Sequence, residues 1–281
     1  MKYRPMLAET ITEAQVDLLL DSPRWAAEQK LDGHRVVFVN GKPYNRKGEP
    51  FKQAMSNEVI EELSDPSTFL PGQTWVFDGE FLDGTYHVFD LLDTPMDGVD
   101  MTTPFETRRR ALESIFQVWK PFHVSLIGHA VTSHGKRDLL ARVEEMGGEG
   151  VMFKELDAPY EPGRRSSSIM KHKLWESADV IVTGFHPEGK RSVKVAAFDG
   201  EELVGLGTVT MSDHNLTLVQ PGSVIEVKYL YLGAQGALYQ PAFLRLRGDK
   251  DPYECVVSQL KPVCKDVLTS TTFTTNPKGN P

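Results

Sequence analysis

Cysteine is nearly absent from this chain: Cys255 and Cys264 are the two in 281 residues. Two thiols cannot build a disulfide framework or a four-cysteine zinc site, and both are expected to be reduced. Long apolar runs are also missing, so no segment approaches the roughly 20 residues of a membrane-spanning helix. The opening residues, MKYRPMLAET, lack the apolar core of a signal peptide, which gives the expectation of a cytoplasmic protein. Nor is there a surplus of positive charge, since 31 Lys and Arg against 39 Asp and Glu leave −8. That excludes a uniformly basic nucleic-acid coat but leaves room for a local basic groove.

What the chain does have is an ordinary globular composition, 40% hydrophobic and 25% charged, with length for two modest domains. TEAQVDLLL reads as a helix with a Thr12/Gln15 capping box and Val16, Leu19 and Leu20 on one face. TPFETRRRALESIFQVW predicts a second, capped by Thr103 with Pro104 in the first turn, Glu106 closing the box and a Leu112–Ile115–Phe116–Trp119 stripe. KRDLLARVEEMGG predicts a third that stops at Gly147 and Gly148. Strands are expected at HRVVFV, TWVFDGEFL, YHVFDLL, GVMFKE and SIMKHKLW. No strict βαβ rhythm links these elements, so the fold class is α+β. Beyond about Ala178 the texture becomes five short strands separated by Gly, Pro or Asp turns, which suits a small barrel of OB type. The expected division is a mixed domain over 1–177, a barrel over 178–268 and a disordered tail over 269–281.

The stretch AEQKLDGHRVVFV places Lys30, Asp32 and Arg35 together at the mouth of a strand. An amine attacks only when unprotonated, and a reference lysine at pH 7 is free in roughly one molecule in a few thousand. Bringing its pKa to about 7–8 costs the ammonium form roughly 4 kcal/mol. Burial, a metal or neighbouring cations do this, whereas a lone carboxylate does the opposite. Lys30 beside Asp32 therefore makes sense as a nucleophile if Asp32 is also engaged by a metal or a second cation. An isolated K-x-D-G reads more simply as a surface turn.

The rest of the chain changes that balance. KLDGHR resembles the K-x-D-G-x-R signature of the covalent nucleotidyltransferases, which comprise DNA ligases, RNA ligases and mRNA-capping enzymes. Further motifs of that superfamily follow in order: YNRKGE, FDGEF, YHVFDLL, EGVMFKE, MKHKLW and, in the barrel, FLRLRGDK. The resemblance runs from about Pro5 to Lys250 and is to the small ATP-dependent DNA ligases that viruses and phages carry. One departure is Ala242, where ligases often have arginine.

The resemblance implies an enzyme that serves DNA replication, repair or recombination, in the host cytoplasm if phage-encoded. Lys30 would attack the α-phosphorus of ATP to form lysine–AMP. AMP would pass to the 5′-phosphate of a nick and be displaced by the 3′-OH. Glu28 would read the adenine amino group, Phe89 would stack on the base, Glu80 would accept ribose hydroxyls and Arg35 would contact sugar or phosphate. Lys171 and Lys173, two apart on one strand, point to one face, where their charge would serve the α-phosphate and favour the free amine of Lys30. Arg46 and Arg165 match nucleotide- or DNA-phosphate positions. Glu149, with Asp32, is the candidate Mg²⁺ site, Mn²⁺ being a possible substitute, because Mg²⁺ needs only one or two carboxylates plus phosphate oxygens. Arg247, Asp249 and Lys250 would orient pyrophosphate when the barrel closes over ATP, which makes 175–180 a hinge.

Seven Lys and Arg against four Asp and Glu over 161–194 mark a basic patch, with Arg164, Lys190 and Arg191 as candidate DNA contacts. The expected partner is nicked duplex DNA, bound by a monomer with no added N-terminal DNA-binding domain and a steep salt dependence. Capping guanylyltransferase, RNA ligase and a non-catalytic nucleic-acid-binding protein on a ligase scaffold are the alternatives.

Overall fold

A computed structural model describes residues 2–64, 74–95, 98–263 and 266–270. Cys264 and residues 271–281 of the expected tail lie outside the described residues. In chain order the elements are β1 (Leu7–Thr10), α1 (Glu13–Asp21), β2 (Trp25–Lys30), β3 (His34–Val39), β4 (Lys42–Asn45), α2 (Asn57–Ser64), β5 (Val76–Leu82) and β6 (Thr85–Asp93). There follow α3 (Phe105–Trp119), β7 (Val124–Leu126), β8 (His129–Ala130), α4 (Ser133–Glu145), β9 (Gly150–Glu155) and β10 (Arg165–Lys173). The chain goes on through β11 (Glu176–Phe185), β12 (Ser192–Asp199), β13 (Glu202–Thr210), α5 (Asp213–Leu216), β14 (Val224–Tyr229) and β15 (Ala242–Leu246). The fold is thus mixed, with most of its regular structure in sheets.

Two compact units divide the chain. Of the described residues, the first takes those within 2–143, 150–172 and 266–270; the second takes those within 144–149 and 173–263. The main passage between them falls at Lys173, five residues before the expected 178.

The first unit holds two five-stranded sheets, ordered β1-β10-β9-β2-β8 and β4-β3-β5-β6-β7. The HRVVFV alternation forms β3, paired antiparallel to β5 so that Arg35 faces Glu80 across the ladder. Val36, Phe38, Phe77 and Tyr86 bury one face of this sheet against Leu112 and Ile115 of α3, an apolar stripe at helical spacing. Tyr86 keeps its hydroxyl satisfied inside that core by donating to the Val36 carbonyl at 2.8 Å. Gly79 sits against its backbone: a Cβ there would lie 2.5 Å from the His87 carbonyl oxygen.

Two expectations are corrected. The N-cap of α3 is Pro104, with extended backbone and no side-chain cap, and Thr103 Oγ1 accepts instead from the Asp100 N–H at 3.1 Å. The hydroxyl is used in the preceding turn and so is not available to the helix. Thr269 and Ser270, expected in the tail, lie along the β7–β8 connection, where the Ser270 N–H donates to the Leu126 carbonyl at 2.9 Å. Backbone groups at that sheet edge give the segment partners that its composition does not advertise.

The second unit is a closed barrel in the order β11-β12-β13-β15-β14. Alternate residues such as Val180, Val182, Val193, Val195, Ile225 and Val227 fill it. Closure runs through β15, antiparallel to β14 and parallel to β13 at Thr210–Ala242. Among the described residues no helix is long and apolar enough to cross a membrane.

Candidate active site

The first unit contains a cleft of about 180 Å³ to which both sheets contribute. Glu28 and Lys30 reach it from β2, Lys154 from β9 and Lys171 from β10; Arg35, Glu80 and Phe89 come from β3, β5 and β6, and Arg46 from the turn after β4. The strand period of two accounts for Glu28 with Lys30 and for Met152 with Lys154, since alternate residues share a face. Lys30 ends β2 opposite Gly150 of β9. The chain then turns through Gly33, where a Cβ would come within 2.5 Å of the Phe81 carbonyl oxygen and 3.0 Å of Glu80 Cγ. The glycine of KLDG thus lets the loop after Lys30 lie directly on the strand that carries Glu80.

Phe89 forms one wall, with two cations close to its ring. The Arg35 guanidinium carbon stands 4.5 Å from its ring centroid and Lys154 Nζ 4.6 Å, both within cation–π range. Arg35 is fixed from behind by buried Asp78, which accepts from Nε and Nη2 at 2.6 Å each. Burial works against the Arg35 charge, but Asp78 outweighs it and holds the guanidinium well above its ordinary value. The Tyr160 hydroxyl donates to the same carboxylate at 2.6 Å.

Glu28 is 2% exposed. Its Oε2 meets Lys154 Nζ at 2.7 Å, while Arg109 of α3 stands 3.6 Å from Oε1. Lys154, Asp78, Tyr160 and Arg109 were not singled out from sequence. The first two lay inside motifs read for their neighbours, Glu149 and Glu80. Arg109 sits in an RRR run that reads as solvated, and Tyr160 has no pattern around it.

Other expected residues lie elsewhere. Lys173 is not among the cleft's lining residues; its Nζ is 3.0 Å from Glu149 Oε1 and donates to Gln240 Oε1 at 2.9 Å. Glu149 is buried, Asp32 is half-buried, and among the described residues no group of three or more His, Cys, Asp or Glu is arranged to hold a metal. The Arg165 guanidinium donates to the Ala8 carbonyl, and Arg164 is exposed beside it. In the barrel Arg247 is gripped by Asp179 at 3.0 Å and by Asp249 at 2.9 Å, and its hydrogen bonds hold the Asp249 carboxyl down to about 2. Lys190 and Arg191 are exposed, each facing a carboxylate, Glu188 at 2.6 Å and Asp213 at 3.7 Å.

Two histidines in this unit, buried His87 and half-buried His129, are neutral at pH 7. Burial takes His87 down to about 4; burial, then Arg109 and Lys154, takes His129 down to about 3. Below pH 6.5 the unfolded imidazoles take up protons that the folded ones refuse. Their contribution is therefore complete above pH 6.5 and is lost as pH falls toward 4, by on the order of 3 kcal/mol per histidine. Urea midpoints should drop between pH 7 and pH 4.5, and His87→Gln should flatten that drop. A midpoint whose pH dependence is the same in the variant would refute the assignment.

Residues 81–173 match the family model of the ATP dependent DNA ligase domain. The multifunctional non-homologous end joining DNA repair protein LigD of Mycobacterium tuberculosis is 26% identical over 309 residues, covering 90% of this chain and 39% of that protein. One third of the chain thus matches the ATP dependent DNA ligase domain, and the similarity to LigD runs over nine-tenths of it. A DNA ligase of Methanopyrus kandleri is 30% identical over 178 residues, which is 62% of this chain and 29% of that one. The chain thus spans about two-fifths of the LigD relative's length. Among solved structures, mycobacterial DNA ligase D complexed with ATP and MES aligns at 25% identity and TM-score 0.51, covering 91% of this chain and 98% of that one. A Lig E DNA ligase structure aligns at TM-score 0.64 and 18% identity, covering 87% of this chain and 99% of that one, a likeness of fold.

Proposed function

We propose that this chain seals nicks in duplex DNA with ATP as the AMP donor. The observation that carries the reading is the cleft itself. One lysine, Lys30, stands at the end of a strand, with a flat aromatic wall, cations and two carboxylates converging on the same space. Adenine would lie on Phe89 with its amino group toward Glu28, and the ribose hydroxyls would donate to Glu80. Arg46 and Lys171 would hold the phosphates, assisted by Arg35 at the sugar. The Lys30 amine would attack the α-phosphorus in line as pyrophosphate leaves, AMP would move to a 5′-phosphate, and a 3′-OH would displace it. Lys173 and Arg165 would act on nucleotide or DNA phosphate in other steps of this cycle.

Asp32 and Glu149 would hold Mg²⁺, since a site with one or two carboxylates is the donor set this ion takes when phosphate supplies the rest. When bound, the ion neutralises phosphate charge. The first unit would be the nucleotidyltransferase domain and the barrel an OB fold, with Arg247 addressing pyrophosphate and Arg164, Lys190 and Arg191 addressing DNA phosphates. A monomer suffices for this chemistry.

The test is label transfer. The protein is incubated with Mg²⁺ and α-labelled ATP or GTP, scored for acid-resistant label, then given nicked duplex. Label from ATP that discharges as the nick closes supports the reading. Label from GTP alone would make it a capping enzyme, and DNA binding without label would make it a binding protein.

A further inference from the structure

Glu28 is the residue proposed above to read the base, yet nothing in that reading says why a buried carboxylate stays fixed and acceptor-only. The groups around it supply a reason. Lys154 takes Oε2 at 2.7 Å and so fixes the plane of the carboxylate. Oε1 and Arg109 Nη1 are both buried atoms without a hydrogen-bond partner, and they face each other at 3.6 Å. That spacing is too long for a hydrogen bond but close enough for full charge attraction. Arg109 thus attracts Oε1 without occupying its lone pairs.

The guanidinium cannot close the gap, because its other nitrogens are committed. Nε donates to Glu113 Oε1 at 2.9 Å and Nη2 to the Ile127 carbonyl at 2.6 Å, with the whole side chain 1% exposed. Glu113 also faces His129 Nδ1 at 3.2 Å. With His129 neutral, the cluster counts two cations, Arg109 and Lys154, against two anions, Glu28 and Glu113. Removing Arg109 leaves an excess negative charge that a proton on Glu28 would cancel. A protonated carboxyl donates as well as accepts, and would then tolerate the carbonyl that guanine carries where adenine has its amino group.

We infer that Arg109 is the positioning residue that makes Glu28 an acceptor-only reader of the base, and so sets the preference for ATP over GTP. The inference rests on the ligase reading and adds a determinant from outside the cleft, on α3. Arg109 touches no substrate.

The experiment measures lysine-label transfer from ATP and from GTP, each over a range of concentrations, for wild type, Arg109→Met, Arg109→Lys and Glu113→Gln. For Arg109→Met the ATP-to-GTP ratio of kcat/KM should fall at least tenfold, chiefly through a higher KM for ATP, with kcat at saturation changed much less. Arg109→Lys keeps the charge without the fork and should recover part of the ratio. Glu113 is partly exposed, so Glu113→Gln is the variant that reports if Arg109→Met does not fold. It weakens the hold on Nε, lets the guanidinium close on Glu28 Oε1 and occupy the lone pairs that read the base, and should lower the ratio severalfold. Equal losses with both nucleotides in Arg109→Met, or an unchanged ratio in a folded Glu113→Gln, would make the arginine merely structural and overturn the inference. No label on the wild type from either nucleotide would instead overturn the ligase reading beneath it.

Discussion

Replacing Lys30 by alanine is expected to abolish label transfer from ATP, by at least about 10⁴-fold, the scale of losing a covalent nucleophile. No other amine can take its place by a small movement. Lys154 lines the same cleft, but its ammonium is tied to Glu28 at 2.7 Å and to the Phe89 carbonyl at 3.1 Å, deep in the site. Lys171 approaches from β10, whereas Lys30 alone leads into the turn that Gly33 presses onto the Glu80 strand. Folding should survive, because the side chain is half-buried at a strand end; a change in unfolding free energy within about 1 kcal/mol is expected. The result to fear is a folded Lys30→Ala that still carries acid-resistant label, which would move the nucleophile elsewhere.

The strands were legible wherever period-two patterning and β-branched residues coincide. HRVVFV is β3 to the residue, and the five barrel strands follow from alternation broken by Gly, Pro and Asp. What escaped was β2 itself, the strand that bears Lys30. WAAEQK has no β-branched residue and includes two charged ones, yet its four central residues are buried because β9 and β8 flank it on both edges. Strand propensity is a statement about a half-covered surface, and it fails for a central strand whose polar side chains serve a site. The cap of α3 failed for a different reason: Thr103 had two possible uses for one hydroxyl, and sequence could not say which turn would take it.

Site residues divide along the same line. Those that touch the cleft came with their motifs, as Lys30, Glu80, Phe89 and Lys171 did. Those that hold the first set in place did not, because their signal is burial and not pattern. Asp78 and Glu80 lie two apart on one strand, and only the packing around them separates the carboxylate that faces the cleft from the one enclosed behind it. The basic patch shows the opposite limit. Charge counting over 161–194 found the cations, but Lys190 sits against Glu188, and Arg191 faces Asp213, a carboxylate beyond the counted window.

Asp78 carries the second large prediction. It is fully buried and accepts three hydrogen bonds, two from Arg35 and one from Tyr160, all at 2.6 Å. Tyr160 in turn accepts from the Met6 N–H at 2.8 Å, so one carboxylate ties β3, β5 and the approach to β1 together. Asp78→Asn keeps the volume but removes the charge that Arg35 was buried against. Breaking a buried pair from one side costs about 3–5 kcal/mol, because the remaining ion is uncompensated. In a unit of this size that lowers Tm by roughly 6–20 °C. Any molecules that remain folded should bind ATP more weakly, since Arg35 would no longer be held 4.5 Å from the Phe89 ring. Arg35→Met alone should cost less than Asp78→Asn, and the double variant less than the sum of the two, with a coupling of at least about 2 kcal/mol. Denaturant titrations of the four proteins measure it. Strict additivity would mean that the two side chains stabilise the unit independently, and the support assigned to Arg35 would then have to come from the strand ladder alone.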